Sequence, residues 1–161
     1  MTGIYVANGR NISVKRNFVL LMDNATGGKR GIQLCNIKGT NIDRSVVYNN
    51  MVSLKGSAVA SLSSAGIWID STSKYMNVYF NSVRLYSGAN QAATRTFSVS
   101  KSTQIYVMNN VFDNESKGYA YYVDVDTNVA ISNYNAYWSN AEVAAKGKLP
   151  LCQDTGTAII H

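Results

Sequence analysis

One phrase recurs along this chain and limits what it can fold into. It has the form apolar-x-x-Asn-x-apolar. It stands as Val14-Lys15-Arg16-Asn17-Phe18-Val19, Val47-Tyr48-Asn49-Asn50-Met51-Val52, Val78-Tyr79-Phe80-Asn81-Ser82-Val83 and Val107-Met108-Asn109-Asn110-Val111-Phe112. A degenerate fifth copy begins at Ile131, with Asn133 and Asn135 straddling the expected position. Successive copies are 33, 31, 29 and 24 residues apart. Self-similarity at such a period signals a solenoid, in which each turn buries its apolar face against the next.

A second phrase precedes each copy: Gly3-Ile4-Tyr5-Val6, Gly31-Ile32-Gln33-Leu34, Gly66-Ile67-Trp68-Ile69, Thr96-Phe97-Ser98-Val99 and Ala120-Tyr121-Tyr122-Val123. Apolar residues separated by one position mean short strands with one buried face. Each repeat then holds three such strands, for example Ile67–Ile69, Met76–Val78 and Val83–Leu85. The recurring residues Asn17, Asn50, Asn81 and Asn110 fall at the corner between the second and third strands. A sharp corner needs positive φ, which Asn tolerates better than other non-glycine residues. Stacked copies also place side-chain amides where they can hydrogen-bond along the axis. A single Pro in 161 residues suits strands that have neighbours above and below.

These phrases resemble the right-handed parallel β-helix family, the pectate-lyase-like solenoids. The resemblance covers Gly3 to about Tyr137, and Ser132–Trp138 is similar to a phrase frequent in repeats of bacterial surface proteins. The expectation is an all-β, right-handed parallel β-helix of about five coils over residues 3–138, with 139–161 as a C-terminal tail or cap. The resemblance implies an extracellular or bacterial cell-surface parent protein. No capping segment precedes Gly3, so the chain reads as a piece of a longer protein, or as one that associates end to end.

Composition narrows the function classes. Charge is uneven: residues 1–101 carry 12 Lys/Arg against 3 Asp/Glu, and residues 102–161 carry 3 against 6. The basic part either attracts polyanions such as uronic-acid glycans, nucleic acid or anionic lipid, or is scattered solubilising charge, since it contains no run such as KRKR. Aromatic residues do not interleave with a basic stripe, so no nucleic-acid partner is expected. No stretch approaches the ~20 apolar residues of a membrane span, and the N-terminus does not read as a signal peptide. The single histidine is His161, which leaves histidine-dependent catalysis without a residue. Cys35 and Cys152 have no metal-ligand spacing, and sequence does not decide whether they pair. Gly27-Gly28-Lys29-Arg30-Gly31 reads as a turn between coils, because it does not fit a phosphate-loop pattern and no helix opens after it.

The middle residue of the first strand should face outward, giving a column of Tyr5, Gln33, Trp68, Ser98 and Tyr122. The next outward column is Ala7, Cys35, Asp70, Ser100 and Asp124, with Asp126 one step further. In the family resembled, this face forms the saccharide groove. That implies Tyr5, Gln33, Trp68, Asp70 and Tyr122 as polysaccharide contacts, with rings as platforms and polar groups for hydroxyls. Asp70 and Asp124 would stand two coils apart, about 9.6 Å, near the separation used in inverting glycoside hydrolysis. They are therefore the catalytic candidates. However, the Asn-Thr-Asp, Asp-Asp and Gly-His-Gly motifs of hydrolases of this fold are absent. Asp124 and Asp126 are the candidates for Ca²⁺, although an EF-hand is rejected because positions six and twelve are Val129 and Asn135. No cofactor is otherwise expected. The leading expectation is a non-catalytic polysaccharide-binding or scaffolding module. The alternatives are a piece of a polysaccharide lyase or glycoside hydrolase acting on acidic glycans, and a structural spacer or adhesin.

Overall fold

The computed structural model describes residues 1–139 apart from 24–25, 58, 60–61, 87–92 and 126–127. The chain runs through β1 (Thr2–Ala7), β2 (Ser13–Lys15) and β3 (Phe18–Leu21), then β4 (Arg30–Cys35), β5 (Ser45–Tyr48) and β6 (Met51–Lys55). It continues with β7 (Ala65–Asp70), β8 (Lys74–Tyr79) and β9 (Ser82–Tyr86), and with β10 (Arg95–Val99), β11 (Thr103–Met108) and β12 (Val111–Asn114). The last level is β13 (Tyr119–Val123), β14 (Val129–Asn133) and β15 (Ala136–Ser139). Every third strand pairs in parallel, giving three sheets ordered β1-β4-β7-β10-β13, β2-β5-β8-β11-β14 and β3-β6-β9-β12-β15. The fold is thus an all-β parallel solenoid. Four turns separate β1 from β13, so the expected count of about five coils is slightly high unless the last level is counted as a turn.

Alternation of apolar residues fills the interior. Ile32, Leu34, Ile67, Ile69, Val47, Val78, Leu54 and Leu85 are fully buried. The first sheet packs on the third, and the glycines of the first phrase make that approach close. A Cβ at Gly31 would run into Val52, and one at Gly66 into Val83, so neither position has room for a side chain. At the C-terminal end aromatic residues replace the aliphatic ones. Phe97 stacks on Phe112 at 5.0 Å between ring centres and on Tyr121 at 5.3 Å. Burial pushes the Tyr121 hydroxyl far above its ordinary titration range.

A line of asparagines, buried at Asn50, Asn81 and Asn110 and half-buried at its ends, binds successive turns. The amide nitrogen of Asn17 donates to Asn50 Oδ1 at 2.9 Å, Asn50 to Asn81 at 2.9 Å, Asn81 to Asn110 at 3.0 Å and Asn110 to Asn135 at 2.9 Å. Each accepting oxygen also takes the backbone N–H of the asparagine one turn back, at 2.9–3.1 Å. The second amide hydrogens of Asn50, Asn81, Asn110 and Asn135 reach the carbonyls of Val14, Val47, Val78 and Val107. The corner asparagines therefore satisfy one another and the backbone around them.

The geometry corrects the sequence reading in two places. Positive φ does not fall on the buried asparagines but on the residue before each: Arg16 (57°), Asn49 (51°), Phe80 (56°), Asn109 (55°) and Tyr134 (56°). The preceding residue makes the turn, so the asparagine keeps ordinary backbone geometry and points its amide inward. The fifth copy is also set one residue later than expected. A register shift between Ile105 and Tyr106 makes Ser132, not Ile131, the partner of Val107. Ser132 is buried and Asn135 completes the ladder.

Replacing Asn81 by Leu should lower the unfolding free energy by about 3–5 kcal/mol, because it orphans buried donors and acceptors on both adjacent turns. Asn17→Leu, at the half-buried end of the ladder, should cost less than about 1.5 kcal/mol. Chemical denaturation of both variants checks the contrast, and equal costs would contradict the ladder.

Candidate functional site

The outer face of the first sheet carries the predicted file. Register pairs Tyr5 with Gln33, Gln33 with Trp68, Trp68 with Ser98 and Ser98 with Tyr122. Trp68 lies between the fully buried Ile67 and Ile69, so pleating turns its ring outward, where it is half-buried. Tyr122 and Gln33 are half-buried on the same face, and Tyr5 is 61% exposed. Ser98 departs from the expectation of a solvent-facing residue. It is only 1% exposed and its hydroxyl has no partner, because the larger Trp68 and Tyr122 flank it in the row.

The second column is only partly strand. Ala7, Cys35 and Asp70 are in register, but β10 ends at Val99 and β13 at Val123. Ser100 and Asp124 therefore lie just beyond their strands. Asp126 and Cys152 lie outside the described residues. Asp70 Oδ1 accepts a hydrogen bond from Ser100 Oγ at 2.9 Å, and Ser100 Oγ accepts one from Trp68 Nε1 at 3.2 Å. This relay fixes the indole against Asp70. The exposed Asp124 accepts the backbone N–H of Lys101 at 3.1 Å and the side-chain amide of Asn128. Both catalytic candidates are thus engaged in local hydrogen bonds. Among the described residues no group of three or more His, Cys, Asp or Glu is placed to hold a metal ion.

Two arginines lie on rings of this face, a contact that the sequence reading did not foresee. The Arg30 guanidinium lies 4.1 Å from the centre of the Trp68 ring, and that of Arg95 lies 3.7 Å from the centre of Tyr122. Arg30 is held by the carbonyls of Lys29 (2.9 Å) and Ser63 (2.5 Å) and by Ser63 Oγ (2.9 Å). Burial, then repulsion from Arg95, pulls the Arg30 guanidinium down to about 10, against the opposing attraction of Asp70. It is still a cation at neutral pH. Arg30 and Arg95 both pair in register with Ala65, one on each side, so the cation-on-ring unit recurs every second turn. The signal was present in the sequence: each Arg stands two places before the first apolar residue of its phrase. Cys35 lies beside Tyr5 and pushes the phenol above its ordinary range.

Elsewhere, Lys29 of the Gly-rich turn is fully buried, with its ammonium 2.8 Å from Asp23 Oδ1. No helix among the described residues is long and apolar enough to cross a membrane.

The comparisons with known proteins are sparse. The model of the Fumarate hydratase (Fumerase) family matches residues 98–161, less than half of the chain, and it is not the pectate-lyase-like family. No curated protein and no solved structure matches. The matched stretch is not a separable unit within the described residues, because β11 and β12 are hydrogen-bonded to β8 and β9, which lie outside it.

Ser100→Ala should release the Trp68 indole. In a Trp138→Phe background, leaving Trp68 as the only tryptophan, its emission should shift to longer wavelength, with a stability loss of about 1 kcal/mol. Unchanged emission would contradict the relay.

Proposed function

We propose that this chain is a non-catalytic polysaccharide-binding or scaffolding module, a right-handed solenoid of the pectate-lyase-like kind from a secreted or surface-attached bacterial protein. The observation that supports it is the outward row in which Trp68 and Tyr122 flank the small, buried Ser98, each ring carrying an arginine. Aromatic rings offer apolar platforms to sugar rings, and guanidinium groups favour glycans bearing carboxylates. Asp70 and Gln33 supply acceptor and amide functions on the same face. Binding is preferred over catalysis because the carboxylates of Asp70 and Asp124 are already held by hydrogen bonds from Ser100, Lys101 and Asn128.

The family-model match favours a second reading, an activity related to fumarate hydration that draws on residues 98–161. Following fumarate absorbance with the purified chain tests it directly.

A glycan array followed by titration calorimetry tests the first reading. The protein should bind at least one carboxylate-bearing polysaccharide, and Trp68→Ala combined with Tyr122→Ala should weaken that binding at least fivefold. Absence of any bound glycan at millimolar concentration would contradict it. Release of unsaturated uronate, abolished by Asp70→Ala, would replace binding with catalysis.

A further inference from the structure

The corner between the second and third sheets carries a second file, on a different edge of the solenoid. Its members are the left-handed residues Arg16, Asn49, Phe80, Asn109 and Tyr134, one per level, and all five side chains are exposed. Their backbone N–H groups keep the stacking regular. Arg16 donates to Tyr48 O at 3.1 Å, Asn49 to Tyr79 O at 3.2 Å, Phe80 to Met108 O at 3.4 Å and Asn109 to Asn133 O at 3.1 Å. The file advances one residue per strand spacing, about 4.8 Å, so amide and aromatic alternate with a repeat of about 9.6 Å.

Three features characterise this edge, the first of which, left-handed backbone at residues other than Gly and Asn, also occurs at Ser71, Thr72, Tyr75, Lys101 and Gln104. Left-handed backbone is unfavourable for every residue except Gly and, less so, Asn; Phe80 and Tyr134 bear that strain while leaving 54% and 66% of their surface in solvent. Backbone preference does not account for an aromatic residue there. The Phe80 ring is also held in place, edge-on to Tyr48 at 6.0 Å and to Tyr79 at 5.7 Å between ring centres. Beside it opens a groove of about 300 Å³, bordered by Arg16, Asn49, Met51 and Phe80. Finally, beyond Lys15 and Arg16 of its first level, the strip is uncharged in a chain of net charge +6. From the second level to the fifth, the file and its flanking columns, Tyr48 to Asn133 and Met51 to Ala136, hold no ionisable acid or base other than tyrosine.

We propose that this corner file is a binding line for an extended, uncharged polysaccharide chain running along the solenoid axis. Exposed rings at every second level suit the apolar faces of alternate sugar units. The intervening amides of Asn49 and Asn109 each offer donors and an acceptor for hydroxyl pairs. A strip one residue wide and four levels long fits a linear polymer better than the broad patch that a folded protein partner requires. The line shares no residue with the outer face of the first sheet and does not rest on the reading of that face.

Phe80→Asn with Tyr134→Asn separates binding from folding, because Asn suits the left-handed backbone. Each exchange should raise the melting temperature by about 2–4 °C. In affinity electrophoresis and titration calorimetry with soluble β-glucan, xylan and galactomannan, wild type should bind at least one. The double variant should lose at least tenfold in affinity, whereas Trp68→Ala with Tyr122→Ala should retain it. Unchanged binding by the double variant overturns the proposal, as does failure of the wild type to bind any of the three. A fall in melting temperature assigns the rings to packing and overturns it. So does light scattering that shows a wild-type dimer dissociated by the double variant, which would make the file a contact between copies.

Discussion

The shape of this molecule depends on how an asparagine side chain can be buried. An amide has two donor hydrogens and an acceptor oxygen, and leaving them unpaired in the interior would cost several kcal/mol. Stacking one asparagine above another at the strand spacing resolves this. Each oxygen accepts from the side chain and the backbone of its neighbour, and the spare hydrogen reaches a valine carbonyl. This arrangement works only if every turn has the same corner and the same pitch. The ladder therefore enforces the register on which the outward files depend.

Once register is fixed, side-chain direction follows from pleating and from the corner. The first sheet turns the isoleucines and valines inward and presents Trp68 and Tyr122 outward, with Arg30 and Arg95 placed on their rings by the same periodicity. At the second corner, making the turn one residue before the ladder asparagine throws Phe80 and Tyr134 into solvent. Both surfaces come from interior packing, and they differ in chemistry. One carries cations on aromatic rings, and the other alternates amides with rings.

The architecture was legible because burial is periodic: Ile67, Ile69, Val78 and Asn81 each repeat from turn to turn in chain and in space. What misled the reading was local. Asn is the residue expected at positive φ, yet at this corner its amide is worth more inside, and the strain passes to its neighbour, even to Phe80. A bulge near Ala130 shifted the last copy by one residue, which a pattern of apolar spacings cannot reveal. Ser98 was taken as outward and exposed, but a small side chain between Trp68 and Tyr122 is covered by them. The contacts of Arg30 and Arg95 with the rings were not foreseen, because cation-on-ring contacts join different turns and only the register brings them together.

The most direct test of the ladder is nuclear magnetic resonance of the asparagine side-chain amides. The structure predicts cross-peaks linking the amide protons of Asn50, Asn81 and Asn110 in sequence, with hydrogen exchange far slower than for the exposed Asn49 and Asn109. Side chains that exchange at the rates of exposed amides, with no contacts between successive asparagines, would contradict the stacked corner and both outward files with it.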